Sequence, residues 1–313
     1  MATTMLNLPE ELVTDIFSKV KGHSAIAKLS AQKPMPFNGI KEFVFSMPGE
    51  ASIVAEGALK PASEAAFTPK VIRPIKFVYQ VRVSDEFMNS SDEARLPYLE
   101  QFGEGFAIKI GRGLDIAAMH GIDPKTKVAV SGLENFDGII TSIITYDANH
   151  PDDNLDDAIA AIVALEASAS GIAVSPAFGT AMSRVKVNGV VQYPEFRFGG
   201  APDKFAGYSL DMNNTLGVVA TGTAVDHAIV GDFENAFRWG YSKNIPLEII
   251  QYGDPDGTGR DLKAYNEVCL RGEAYIGWGI LDKDSFAVIR PGTEAADTGS
   301  NGDDNDNGEG GET

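Results

Sequence analysis

The chain has 313 residues, enough for one large domain or two modest ones, and 43% of them are hydrophobic and 22% charged, as in ordinary globular proteins. Its formal net charge is −18, which argues against general nucleic-acid binding because affinity for phosphate depends mainly on Lys and Arg. No apolar run approaches the roughly 18 residues of a membrane span, and the start of the chain lacks the pattern of a signal peptide. We therefore expect a protein that acts in the compartment where it is made, without a membrane.

Cys269 is the only cysteine, so no disulfide can form within one chain. It lies between Val268 and Leu270 in an apolar, strand-like run, which predicts a buried and unreactive thiol. The four histidines are scattered without the spacing of a zinc site. We predict no metal ligand, no cofactor and no catalytic residue.

The chain opens with a predicted amphipathic helix at residues 8–20, where apolar residues recur at steps of three and four. A second short segment, Ala25–Leu29, leads into a stretch at Ile40–Ser46 that is predicted to be extended.

The most unusual part of the sequence is residues 47–83. Residues 48–62 are rich in small side chains with turn signals at both ends, and residues 70–83 have the β-branched and aromatic residues of a strand that returns from an excursion. A two-stranded hairpin alone is marginal in water, so it needs another surface. The pattern alone leaves two alternatives: an ordinary hairpin packed on its own domain, or an arm that projects from it.

A longer helix is predicted at residues 96–120, because its apolar residues fall on one face. At 1.5 Å per residue it would be about 37 Å long, which suits a spine. Ser84, followed by Asp85 and Glu86, fits an N-cap ahead of this helix. Glycines interrupt the helix at a cost of about 0.8–1 kcal/mol each relative to Ala, so packing has to compensate. The apolar face consists of Leu99, Phe102, Phe106, Ile110, Leu114 and Ala117, and the glycines are Gly103, Gly105, Gly111 and Gly113.

The second half alternates helices and strands. Acidic residues near Asp152 lie at the start of a predicted helix, where they are favourable for the helix dipole. Residues 172–176 are predicted to form a strand that enters a helix with Pro176 at its first position. Together these elements predict an α/β unit at 155–187. Residues 293–313 contain seven of the 44 acidic residues and no Lys or Arg, which predicts a disordered tail. Later strands are predicted at 224–230, 245–252, 268–281 and 286–289, whereas 233–241 fits either a helix or a strand.

Motifs that would indicate an enzyme or an ion site are weak. The glycines of the long helix do not lie at a strand-to-helix turn, where a phosphate-binding loop needs them. Residues 254–259 have the spacing of the beginning of a calcium loop, but Tyr265 stands where a bidentate Glu belongs, so a turn-rich loop is favoured. An α/β enzyme would have to assemble its site from scattered acids such as Asp211, Asp226 and Asp232, and the sequence gives no basis for their convergence.

In order and spacing, these pieces resemble the major capsid proteins of tailed bacteriophages, which have the Hong Kong 97 phage fold. The similarity covers nearly all of residues 8–289. The strongest block looks like the family's extended loop, the start of the spine helix and its acidic-then-Gly end; it comprises Glu56-Gly57, Phe67, Lys76, residues 83–88, Ser90-Ser91 and residues 113–121. Two further blocks, at 229–233 and at 268–280 with 284–289, are similar to the late axial turn and to the closing strands.

The resemblance implies an α+β fold of the Hong Kong 97 type. It has an N-terminal arm, an extended β-hairpin loop, a peripheral domain with a long spine helix, and an α/β axial domain. The implied boundaries are 1–46 for the arm, 47–83 for the extended loop, 84–145 for the peripheral domain with the spine helix, 146–240 for the axial domain, 241–291 for the return strands of the peripheral domain, and 292–313 for the disordered acidic tail.

The implied function is a major capsid protein whose hexamers and pentamers form an icosahedral phage head around double-stranded DNA, which it encloses without sequence-specific binding. A scaffold, a portal and decoration proteins are candidate partners, and the implied location is the virion after assembly in the host bacterial cytoplasm. Within the extended loop, Glu56, Lys60, Phe67 and Lys70 are expected to contact a neighbouring subunit, without a covalent crosslink. The alternative is an encapsulin-like compartment shell of the same fold, which would package an enzyme.

Overall fold

The computed structural model of the chain describes residues 5–6, 23–46, 51–62, 66–87, 92–218, 225–241 and 247–292. The helix predicted at 8–20 and the tail predicted after residue 292 lie outside these residues. The helices are α1 (Ala25–Leu29), α2 (Asp92–His120), α3 (Phe136–Ile139), α4 (Pro151–Ala164) and α5 (Pro176–Met182). The strands are β1 (Met5–Leu6), β2 (Ile40–Ser46), β3 (Ala66–Ile72), β4 (Ile75–Ser84), β5 (Ile143–Thr145), β6 (Gly171–Val174), β7 (Lys186–Val187), β8 (Val190–Val191), β9 (Lys204–Phe205), β10 (Tyr208–Met212), β11 (Ala228–Gly231), β12 (Phe237–Tyr241), β13 (Leu247–Ile250), β14 (Glu267–Ile280) and β15 (Phe286–Arg290).

The first sheet is built around the 14-residue strand β14. Strand β4 pairs antiparallel along one side of it, from Ser84 opposite Glu267 to Ile75 opposite Ile276. Strands β13 and β12 pair antiparallel with β14 as well, and β1 extends the sheet beyond β13. The strands predicted at 245–252 and 268–281 are therefore confirmed, and β12 shows that residues 237–241 are extended.

Strands β2 and β3 form an antiparallel hairpin, paired from Ile40 opposite Ile72 to Ser46 opposite Ala66. The prediction of one returning strand at 70–83 is wrong, because the chain forms β3 and β4 with a break at Arg73-Pro74. Proline has no N–H to donate to a strand ladder, so Pro74 cannot continue the pairing as an ordinary strand residue does. The outgoing strand of the hairpin is β2, which the sequence analysis placed in the N-terminal arm.

The spine helix α2 has 29 residues and is therefore about 43 Å long. It begins at Asp92, four residues before the predicted start, and a short 3-10 turn at Asp85–Phe87 follows Ser84 instead of an α-helix. The predicted apolar face is confirmed from Phe106 onward, where Ile110, Leu114 and Ala117 are also buried. Glycine permits close packing at two crossings: a Cβ atom on Gly113 would lie 3.2 Å from the Phe77 ring, and one on Gly272 of β14 would lie 2.7 Å from the Phe106 ring.

The second sheet is mixed, in the order β5-β15-β11-β6-β10-β9. Strand β6 leads into α5 with Pro176 in the first turn, as predicted. The Ser175 side chain caps this helix by accepting a hydrogen bond from the Phe178 N–H. The side chains on the two faces of this sheet pack into two separate hydrophobic cores. Ala173 and Ile229 join the core of α1, α2 and the first sheet, whereas Ile172 and Val230 join a core under α4 and α5.

We expect opposite effects from alanine at two glycines of this framework. Gly272→Ala should lower the free energy of unfolding by about 1–3 kcal/mol, because the new methyl group meets the buried Phe106 ring. Gly105→Ala, which meets no atom within 4 Å, should raise it by up to about 1 kcal/mol. Denaturant unfolding of the soluble subunit measures both, and equal effects would contradict the packing described.

Candidate assembly site

The base of the β2–β3 hairpin is fixed to its own subunit by ion pairs. The Lys70 ammonium lies 2.7 Å from a Glu134 carboxylate oxygen and also donates to the Ile280 carbonyl. Glu134 in turn accepts a hydrogen bond from the Ile280 N–H at 2.5 Å. On the other strand of the hairpin, Glu42 pairs with Arg238 of β12 at 3.1 Å. The hairpin therefore projects from a firm attachment to the first sheet.

The hairpin tip, residues 51–62, has apolar side chains that face solvent. Ile53 is fully exposed and Leu59 is 93% exposed. The segment contains one backbone turn, in which the Ala58 N–H donates to the Ala55 carbonyl and Gly57 has φ +81°, a conformation that glycine adopts without strain. Exposed aliphatic residues at the end of a projecting arm are typical of an interaction surface.

The predicted contact residues are spread along the hairpin. Glu56 and Lys60 lie exposed in the tip, where neither makes an ion pair with a described residue, and Phe67 lies on β3 with its side chain 68% exposed. Lys70 lies at the base, with its ammonium group bound within its own subunit. A contact of these residues with a neighbouring subunit stays a prediction.

The loop with a calcium-like beginning contains an arginine from β4. The Arg82 guanidinium donates to Asp254 at 2.7 Å and to Glu267 at 3.1 Å, and it also bonds to Asp256. Its hydrogen bond and charge hold the pKa of Asp256 below the ordinary value. Asp254 and Asp256 of this loop therefore bind the Arg82 side chain of the same subunit. Sequence reasoning missed this because Arg82 lies 172 residues away along the chain.

A buried carboxylate joins the N-terminal segment to the spine helix. Asp115 of α2 accepts hydrogen bonds from the Ser24 hydroxyl at 2.5 Å, from the Ala25 N–H at 2.8 Å and from the Thr215 hydroxyl at 3.0 Å. Ser24 caps α1 by accepting from the Ala27 N–H. The Asp115 side chain therefore satisfies hydrogen-bond donors at the buried start of a short helix, where water cannot bind them.

Burial raises the pKa of Asp115 to about 6, and the hydrogen bonds from Ser24, Ala25, Ile26 and Thr215 only partly offset the lost hydration. The residue has no solvent exposure. Asp115 therefore gains or loses its proton near pH 6 while it is buried between α1 and the spine helix.

A second buried group of charges follows at the end of the spine helix. His120 contacts the Asp137 carboxylate at 2.9 Å through Nδ1 and the Thr215 carbonyl at 3.2 Å through Nε2. Arg290, at the end of β15, lies 2.9 Å from Asp137 and 2.9 Å from Asp226. Thr215 links this group to Asp115, because its hydroxyl donates to that carboxylate. We call these residues (Asp115, His120, Asp137, Thr215, Asp226 and Arg290) the ionic junction.

Two carboxyl groups of the ionic junction have pKa values shifted in opposite directions. Burial and the adjacent Asp137 raise the pKa of Asp226, and Arg290 opposes the shift only in part. For Asp137, burial is outweighed by hydrogen bonds from His120 and Asp226, which lower its pKa. Ligand atoms of His120, Asp137 and Asp226 lie within 4.8 Å of one another, a spacing that a metal ion could use. The Arg290 guanidinium already supplies the positive charge between the two carboxylates, so the chemistry is that of a structural ion pair.

The three acids considered for an enzyme site make separate sets of contacts. Asp226 belongs to the ionic junction, Asp211 lies 3.4 Å from Lys28, and Asp232 accepts from the N–H groups of Glu234 and Asn235. Cys269 is fully buried, as predicted, and burial raises the pKa of its thiol. None of the described helices combines the length and hydrophobicity needed to cross a membrane.

Comparisons with known proteins agree on one family. A family model described as Phage capsid family matches residues 6–290. A chain from Mycobacterium phage Ogopogo shares 30% identity with a TM-score of 0.75, over 86% of this chain and 92% of that one. A chain from Gordonia phage Cozz shares 26% identity with a TM-score of 0.72, over 87% of both chains. The capsid of an empty GTA particle has the same fold at 14% identity and a TM-score of 0.59, over 86% and 90%. A search of curated proteins finds no match.

We predict a pH dependence that originates at Asp115. Folding raises its pKa from 3.8 to about 6, so the folded subunit binds this proton more tightly than the unfolded chain. Protonated Asp115 therefore stabilises the folded subunit by about 3 kcal/mol. This contribution to the free energy of unfolding is fully present below pH 4 and is lost as the pH rises through 6. The measurement is the free energy of unfolding of the wild type minus that of Asp115→Asn between pH 4 and pH 7. A difference that stays constant over this range would contradict the assignment.

Proposed function

We propose that this chain, which belongs to the phage capsid family and is a major capsid protein, forms the hexamers and pentamers of an icosahedral head. Subunits of the family assemble into multi-subunit shells in the virion, and the family match does not favour a compartment shell. The observation that carries the proposal for this chain is the hairpin tip, whose Ile53 and Leu59 side chains are almost fully exposed to solvent.

The two sheets of the subunit correspond, in this proposal, to two domains of the capsid fold. We assign the first sheet and the spine helix to the peripheral domain and the second sheet with α4 and α5 to the axial domain. The β2–β3 hairpin, extended by its tip, is the extended loop. In this assignment the ionic junction lies where α2 meets Arg290 of the second sheet, so it fixes the two domains to each other.

The negative charge of the subunit is consistent with a shell that encloses DNA without binding it tightly. With a net charge of −18, the shell offers few cations for phosphate contacts, so double-stranded DNA would be enclosed without sequence-specific binding. The family is one of structural proteins, and we propose that this chain likewise acts without catalysis and without a cofactor. Assembly in the host bacterial cytoplasm, with a scaffold, a portal or decoration proteins as partners, completes the proposal.

The hairpin residues divide into contact residues and an anchor. We propose that Glu56, Lys60 and Phe67 contact a neighbouring subunit, because all three are exposed on the projecting part of the hairpin. Lys70 acts on the same contact by holding the hairpin base to Glu134. The contact is non-covalent.

We expect that charges in the hairpin tip abolish assembly without unfolding the subunit. The double variant Ile53→Asp/Leu59→Asp should give soluble, folded subunits and no particles, since the two carboxylates would have to be desolvated on contact. Size-exclusion chromatography and negative-stain microscopy measure assembly, and circular dichroism with thermal unfolding measures the fold.

The matched control is Ile53→Val/Leu59→Met, which keeps both positions apolar and should assemble as the wild type does. Particles of normal size and yield from the Asp variant would contradict the proposal. An unfolded Asp variant would show instead that the tip belongs to the subunit's own core.

A further inference from the structure

A cavity of about 210 Å³ lies beside the second sheet, where the start of α4 faces the turn that joins β9 to β10. Its apolar lining includes Leu155 of α4 and Ile172 of β6, which both belong to the core under α4 and α5. One enclosed water needs about 10–15 Å³ of such space, so the cavity can hold a small organic group. None of its lining residues belongs to the β2–β3 hairpin or to the ionic junction.

Three aromatic rings form one side of the cavity. Tyr193, Phe205 and Tyr208 line it, and each is partly exposed. The rings of Tyr193 and Phe205 meet edge to face, with their centroids 5.5 Å apart, and the buried Phe196 ring contacts Phe205 in the same way at 5.4 Å. Aromatic rings fixed around a partly enclosed space favour a cationic group, because the ring quadrupole attracts a cation that lies over a ring face.

Two carboxylates of α4 lie beside these rings. Asp152 accepts a hydrogen bond from the Tyr193 hydroxyl at 3.2 Å, whereas Asp156, one turn later, makes no hydrogen bond or ion pair with a described residue. Lys204 precedes Phe205 on β9, where successive side chains point to opposite faces, and it does not line the cavity. No Lys or Arg is found among the described residues that line this cavity, so its charge is negative.

The negative charge acts on the cavity wall. Burial raises the pKa of the Tyr193 phenol, and the nearby charges of Asp152, Asp156 and Asp153 raise it further. The phenol is therefore neutral at pH 7, and the two carboxylates that line the cavity are the groups that can bind a cation directly.

The acids of the helix start would not define a site by themselves. Asp153 and Asp157 lie on the same helix, are exposed and do not line the cavity, and acids in this position stabilise a helix through its dipole. Asp152 and Asp156 differ from them because they share a cavity with three aromatic rings and an apolar lining. A bare metal ion would gain nothing from that lining, whereas an ammonium group on an aliphatic stem uses both parts of the cavity.

We propose that this cavity binds an alkylammonium group, with the ammonium between the Asp152 and Asp156 carboxylates and the aromatic rings, and with the aliphatic stem on Leu155 and Ile172. Two sources have this chemistry: a free aliphatic diamine or polyamine, and a lysine side chain of another protein chain. The inference goes beyond the proposed function and does not depend on it, because every residue of the site belongs to one subunit.

Isothermal titration calorimetry of the purified full-length chain with cadaverine tests the site, because this five-carbon diamine has the stem and the ammonium group of a lysine side chain. We expect one cadaverine to bind per chain. The five-carbon diol has the same length without charge, and Mg²⁺ has charge without a stem, so neither should bind in this cavity. Absence of cadaverine binding would overturn the proposal. Equal binding of the diol, or full displacement of cadaverine by Mg²⁺ at matched ionic strength, would overturn it as well.

Matched variants locate the binding. Asp152→Asn/Asp156→Asn should weaken cadaverine binding by at least about tenfold, because both carboxylates of the cavity lose their charge. The control Asp153→Asn/Asp157→Asn removes the same charge from the same helix outside the cavity, and it should change the affinity by about twofold at most. Equal losses in the two variants would overturn the cavity as the site. Circular dichroism checks that both variants fold; if the first does not, the comparison of cadaverine with the diol and Mg²⁺ on the wild-type chain decides.

Comparing free subunits with assembled particles distinguishes the two sources. If a lysine of a neighbouring chain occupies the cavity, free subunits should bind cadaverine and particles should not. If the ligand is a free amine, both states should bind cadaverine with the same affinity. Particles that never form would contradict the proposed function, while the titration of the subunit would still test the cavity.

Discussion

The structure depends on one constraint: the hairpin tip has apolar side chains that its own subunit cannot cover. Ile53 and Leu59 lie beyond a paired ladder that carries them away from the first sheet. Removing apolar surface from water is favourable by about 25 cal/mol per Å², so these side chains favour association with another surface. For a member of the phage capsid family, this is a driving force for assembly placed outside the folded core.

The other interactions make the subunit a firm support for that arm. Lys70 and Glu134 hold the hairpin base to the first sheet. Phe106 over Gly272 holds the spine helix against the same sheet. Asp115 binds the start of α1, and Arg290 connects the end of the second sheet to the acids near His120. Each of these contacts joins elements that are distant in sequence.

Local patterns predicted much of the fold. Periodicity predicted the buried face of the spine helix, Pro176 marked a helix start, and the central strand was predicted at 268–281. Local patterns failed where long-range pairing decides: β2 joined the hairpin because β3 lies opposite it, and Pro74 divided one apolar run into two strands. The ionic junction was beyond prediction, since His120, Asp137 and Arg290 become neighbours only after both sheets form. Phe67 and Lys60 lie in the hairpin and its tip, and their contact with a neighbouring subunit stays a prediction. Nothing local indicated that Lys70 binds Glu134.

The central claim is that assembly covers the hairpin tip, which is exposed in the single subunit. Hydrogen–deuterium exchange measures this by comparing free subunits with assembled particles for a peptide that covers residues 51–62. The account predicts that backbone exchange slows in this peptide on assembly, while the β14 peptide, already paired on both sides, changes little. Exchange in residues 51–62 as fast in the particle as in the free subunit would contradict it.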